Sequence, residues 1–145
     1  MKILALFFLI LFASCALAAL EIQIEGKHGW AAKLPTFRLK KKMGEKPITG
    51  YHIFIILFTL IIFHFPLFFT FWSWKKEALI LGAFIFMWTL EDLLWFVLNP
   101  HYGLAKFNKN NKDIWWHKSW LLGLPSFYWI LLPLAAILIT LGIYG

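Results

Sequence analysis

Residues 78–98 read ALILGAFIFMWTLEDLLWFVL, and the fold turns on them. An α-helix rises ~1.5 Å per residue, so a run of ~20 apolar residues crosses the ~30 Å of hydrocarbon in a bilayer. This run has that length and holds only two charged residues, Glu91 and Asp92. Asn99-Pro100 closes it, because the residue before a proline is pushed out of helical geometry.

Working outward, three more apolar runs occupy 3–20, 53–72 and 125–144. In lipid every backbone polar group must be satisfied within its own segment, which makes each run a predicted helix. The expected architecture is therefore an all-α integral membrane protein, a single domain over 1–145 built as a four-helix transmembrane bundle. Composition agrees: the chain is 61% hydrophobic and 14% charged, outside the balance of soluble domains. Nine Trp and sixteen Phe add aromatic side chains of the kind that mark the boundary between hydrocarbon and headgroups.

The first run carries a second pattern. Lys2, the apolar 3–12 and the small residues of Ala13-Ser14-Cys15-Ala16-Leu17-Ala18-Ala19 have the layout of a cleavable signal peptide, and Phe12-Ala13-Ser14-Cys15 loosely matches a lipoprotein cleavage site. Removal would leave three helices. The single Cys15 permits no internal disulfide.

Between the runs, the loop 21–52 opens on the alternating Leu20-Glu21-Ile22-Gln23-Ile24-Glu25, which predicts a short strand. Arg38-Leu39-Lys40-Lys41-Lys42 is the pattern of a segment touching lipid headgroups. In the second run Pro66 predicts a kink, and His64 beside it is expected to bond a neighbouring helix. In the loop 99–124, Asp113 is placed to cap a short interfacial helix over 114–122, with Gly123 as its stop and Pro125 opening the last membrane helix. Trp115, Trp116, Trp120 and Lys118 suit that helix to the interface.

Four crossings put the loops 21–52 and 99–124 on one face. Eleven of the fourteen Lys and Arg lie in those loops, which by the positive-inside rule are cytoplasmic. A translocated signal peptide demands the reverse. Because the +7 net charge sits beside apolar runs, it points to membrane lipids and away from nucleic acid. A protein partner or a second copy of the chain is the other class of partner expected.

Glu91 and Asp92 lie about seven residues before the end of their helix, ~10 Å below the interface at 1.5 Å per residue. A carboxylate there is costly unless it is paired, protonated or facing protein or water, so both are candidate catalytic residues. Consecutive helical residues point ~100° apart, which gives them different roles, one to act and one to anchor. His28, His52, His101 and His117 fall on the same face of the membrane.

Carboxylate with imidazole is the donor set that suits Zn, Fe or Mn, so His52, His101, His117 and Glu91 are the candidate ligands, although no metal-binding motif spaces them. The functional expectation is a polar His/carboxylate site at the long-loop face. As an enzyme this would be a metal-dependent catalyst on lipid-like substrates. The alternatives are an accessory or binding subunit in which Glu91 and Asp92 pin the third helix to Lys118, Arg38, Tyr51 or a histidine, and a proton-coupled transporter formed by an oligomer.

Overall fold

The computed structural model describes residues 2–43 and 46–145 and is 64% helical. In chain order its elements are α1 (Lys2–Glu25), a hairpin of β1 (Arg38–Met43) and β2 (Lys46–Thr49), α2 (Gly50–His64), α3 (Trp74–Leu98), a two-residue hairpin of β3 (Trp120–Leu121) and β4 (Leu124–Pro125), and α4 (Tyr128–Tyr144). Three helical segments are long and apolar enough to cross a membrane: Ile3–Glu25, Gly50–Phe69 and Trp74–Leu98. The fourth, α4, is equally apolar but shorter, at 17 residues.

α3 is the centre, with α1 and α4 packed along it and α2 touching it lightly. Small side chains set the approach. On α1, Ile10, Ser14 and Ala18 are buried, and Ser14 Oγ lies 2.8 Å from the carbonyl oxygen of Ile10 and 3.0 Å from that of Met87 on α3. A hydroxyl that shares its proton this way satisfies itself where no water reaches. Between α3 and α4 the contact is backbone-close: a Cβ added at Gly82 would sit 2.8 Å from the backbone nitrogen of Ile139, and one at Gly142 2.5 Å from Leu79 Cβ.

α2 buries only Gly50 and His52. Thr49 caps it, accepting from His52 N at 3.3 Å, and Trp88 Nε1 reaches across from α3 to Thr59 Oγ1 at 3.2 Å. At Pro66 the α-helix gives way to a 3-10 turn (Phe65–Phe69), as a missing N–H and a ring clash require. His64 then bonds the next helix as expected, its Nε2 lying 3.0 Å from Glu77 Oε1 on α3.

α3 starts at Ser73, whose Oγ accepts from Lys76 N, and ends at Asn99. Buried Asn99 donates through Nδ2 to the carbonyl oxygen of Gly26, and Tyr102 Oη donates to that of Lys27. The turn after α3 is thereby latched to the end of α1.

Three local expectations are corrected. Residues 20–25 continue α1: once a helix is nucleated, each further residue gains a hydrogen bond, and the 3.6-residue period of the helix places Glu21, Ile22 and Glu25 on the buried side. Residues 114–122 are turns and a bridge with no interfacial helix. Asn108 and Asn111 accept from the backbone N–H two residues on, offering the chain an alternative to helix, and the tight turn at Leu122 and Gly123 has positive φ at both residues. Pro125 belongs to that hairpin, and α4 begins at Tyr128. The Arg38 guanidinium donates to the carbonyl oxygens of Ala31, Ala32 and Thr36 and so folds the loop before β1.

Candidate functional site

At the long-loop end of α3 lies a cavity of about 800 Å³. Its floor is α3 from Phe84 to Phe96, a distance of about 18 Å at 1.5 Å per residue. The deeper end is apolar, walled by Phe84, Ile85 and Trp88 of α3, Ile56 of α2, and Ile130 and Leu131 of α4. Ile56 and Ile130 are 40% and 68% exposed, so this end is open sideways. The other end is polar, ringed by Glu21 and Glu25 of α1, Lys46 of the hairpin, His52 of α2, Glu91 and Asp92 of α3, and the segment Trp116–Ser119.

The two α3 carboxyls differ sharply in their partners. Asp92 accepts from Tyr128 Oη of α4 at 2.5 Å through one oxygen, and its other oxygen lies 3.1 Å from His117 Nε2. His117 is in turn stacked on Phe127 and enclosed by Phe96, Phe107 and Trp120. Asp92 thus ties α3 to α4 and to the loop between them. Glu91, one residue earlier and turned toward α1, is 3% exposed, and its Oε1 has no hydrogen-bond partner among the described residues. The neighbouring Trp95 Nε1 is buried and equally unpartnered. A buried polar atom left without a partner costs about 1–3 kcal/mol, a debt that a bound molecule or water can remove.

On α1, Glu25 Oε1 accepts from Ala31 N and lies 3.9 Å from His52 Nε2. His52 bonds Thr49 Oγ1 through Nδ1 at 2.6 Å and stacks on Trp30 at 4.1 Å. Glu21 and Tyr51 interact electrostatically across the same corner, yet Glu21 Oε1 and the Tyr51 hydroxyl lack a hydrogen bond of ordinary geometry. Lys46 Nζ rests 4.0 Å from the centre of the Trp30 ring and 5.8 Å from that of Phe127. Among the described residues no carboxylate comes within ion-pair distance of it. Burial brings the Lys46 ammonium down to about 8, with the charge of Asp92 working the other way.

Of the residues the sequence singles out, Glu91, Asp92, His52 and His117 line one cavity. His101 does not: it is exposed in the turn after α3 and lines no part of the cavity. The four-ligand metal set is accordingly not assembled. His52 pairs toward Glu25 and His117 toward Asp92, and among the described residues no three His, Cys, Asp or Glu side chains converge closely enough to hold a metal ion.

Glu21, Glu25, Trp30 and Lys46 are the site residues that sequence reasoning missed. A signal for the first two existed, since Ser14, Ala18, Glu21 and Glu25 recur at helical spacing along one face of α1. Nothing in the sequence marks Lys46 out from the other basic residues of its loop. No protein-family model matches the chain, and no match was found among curated proteins or among solved structures.

Proposed function

We propose that this is a multi-pass membrane protein of four membrane helices whose long-loop face binds a lipid-like amphiphile. The observation that carries the reading is the shape and chemistry of one cavity. It is apolar and laterally open at membrane depth, and polar, with the unpartnered Glu91 and Trp95, at the long-loop end. Ligand cavities in proteins commonly span 300–1,000 Å³ and combine an apolar lining with a few placed polar groups, which is this arrangement. Membrane lipids are the partner class nearest to hand. Asp92 serves in this reading as the anchor of the site's frame, and Glu91 as the group that meets the ligand.

The test is native mass spectrometry of the detergent-purified full chain. Wild type is expected to retain lipid-sized adducts that Ile130→Trp and Leu131→Trp, which fill the apolar end, remove. Equal retention by all three proteins would contradict the reading.

An enzymatic reading is favoured by one observation. Glu91 Oε1 is an unpaired carboxyl oxygen at the cavity, available as a base, beside an Asp92 already held by two partners. Incubation of wild type and Glu91→Gln with a total lipid extract separates the two readings. Turnover of a lipid species by wild type alone supports catalysis, and an unchanged extract leaves binding as the activity.

A further inference from the structure

The polar end of the cavity has an uncommon balance of charge. Glu91, 3% exposed, presents a carboxyl oxygen with no partner among the described residues, and Glu21, 6% exposed, lies at the same end with the Tyr51 hydroxyl beside it. Glu91 needs a donor of N–H or O–H. Across the cavity Lys46, held over the faces of Trp30 and Phe127, lacks a carboxylate at ion-pair distance among the described residues. It needs an anion. The nearest carboxylate of α3, Asp92, is already engaged by Tyr128 and His117.

A purely anionic headgroup would satisfy Lys46 and leave Glu91 Oε1 without a donor. A purely cationic one would do the converse. A headgroup that carries both charges satisfies all of these groups together, since charge-assisted hydrogen bonds to buried carboxylates and ammonium ions are the strong ones.

The nature of the cation follows from the atoms left open. Glu91 Oε1 and Glu21 Oε1 are hydrogen-bond acceptors, and a primary ammonium offers three N–H donors where a trimethylammonium offers none.

Resting on the amphiphile reading of this cavity, we infer that its ligand is a zwitterionic phospholipid with a primary amine. The amine is held by Glu91 and Glu21, the phosphate by Lys46, and the acyl chains run out past Ile56 and Ile130. Trp95 Nε1 donates to an oxygen of the same headgroup.

The experiment is a titration of the delipidated full chain in detergent, read by native mass spectrometry, with four probes: phosphatidylethanolamine, phosphatidylcholine, phosphatidylglycerol and the soluble headgroup glycerophosphoethanolamine. Phosphatidylethanolamine is expected to bind about tenfold more tightly than either other lipid, a difference of about 1.4 kcal/mol. The soluble headgroup is expected not to compete at equal concentration. Glu91→Leu and Glu21→Leu, which remove the acceptor oxygens, should each erase most of the preference for the primary amine while leaving phosphatidylglycerol within about twofold, and a thermal melt matching wild type confirms that each variant is folded. Lys46→Met should weaken all three phospholipids.

Equal binding of the three lipids, abolished by Ile130→Trp, overturns the headgroup assignment and leaves the amphiphile reading intact. Equal binding of phosphatidylcholine and phosphatidylethanolamine alone overturns the role of the Glu91 and Glu21 hydrogen bonds. Competition by the soluble headgroup as strong as by the lipid overturns the acyl-chain part. Binding insensitive to Ile130→Trp contradicts the amphiphile reading itself, and this inference with it.

Discussion

Tyr128 Oη donates to Asp92 Oδ2 at 2.5 Å, so the first turn of α4 is fixed to the polar end of α3 by a single carboxylate. The same carboxylate faces His117 through its other oxygen, and its side chain is 23% exposed, on the cavity side. Asp92 is thus a three-way joint that the cavity wall depends on.

Removing it leaves a tyrosine hydroxyl and a buried imidazole without their acceptor. Asp92→Ala is expected to lower stability by about 2–3 kcal/mol, and Asp92→Asn by less because it keeps one acceptor. Pairing Asp92→Ala with His117→Ala should cost less than the two separately, with a coupling of about 0.5–3 kcal/mol. Thermal unfolding in detergent measures wild type, the three single variants and the double variant. Additive losses would show that the Asp92 and His117 side chains do not interact.

Gly82 and Gly142 set how closely α3 and α4 approach. Gly82→Ala must push against the backbone of Ile139, and Gly142→Ala against Leu79. Each is expected to destabilise by about 1–3 kcal/mol through overpacking. Ala substitution of the exposed Phe58 on α2 is the control and should be near neutral. A melt unchanged by both glycine variants would contradict the close α3–α4 packing.

Lys46 gives a pH dependence with a definite sign. Its folded value is lowered by burial to about 8, against an ordinary lysine value of 10.5. Between those values the unfolded chain holds a proton that the folded chain has released, so stability rises with pH through that window and is flat with respect to Lys46 below it. The melting temperature of wild type minus that of Lys46→Met should therefore climb between pH 8 and 10. A falling difference would contradict the buried, unpaired placement of the ammonium. A bound phosphate should flatten the climb by holding the lysine charged.

Because His52 and His117 each face a different carboxylate and His101 lies outside the cavity, metal is not expected to support the fold. Chelator should leave the melting temperature of the purified protein unchanged, and metal analysis should find less than one ion per chain. One ion per chain, lost in His117→Ala, would restore the metal site.

Much of this was legible in the sequence because long apolar runs leave the backbone few choices. Apolar length gave the helices, and Asn99-Pro100 gave the end of α3. That Glu91 and Asp92 point into different surroundings followed from helical geometry alone, and the partners the structure gives them differ accordingly. What failed was local and polar. Residues 20–25 alternate in a way that fits a strand and also one face of a helix, and only packing on α3 chooses between them. Residues 114–122 have the composition of an interfacial helix, but Trp116 and His117 are both buried in the aromatic cluster around Phe96, and the Asn108 and Asn111 side chains turn the backbone before them. Lys46 could not be distinguished from its basic neighbours because its significance lies in Trp30 and Phe127, far away in the chain.

The most direct test of the amphiphile site is photo-crosslinking in membranes with a phosphatidylethanolamine that carries a diazirine in its acyl chain, followed by peptide mapping. We expect labelling concentrated on the cavity residues Ile56, Trp88 and Ile130 and suppressed there by Leu131→Trp. Labelling spread evenly over outward residues such as Phe12 and Phe58, with none in excess at the cavity, would contradict it.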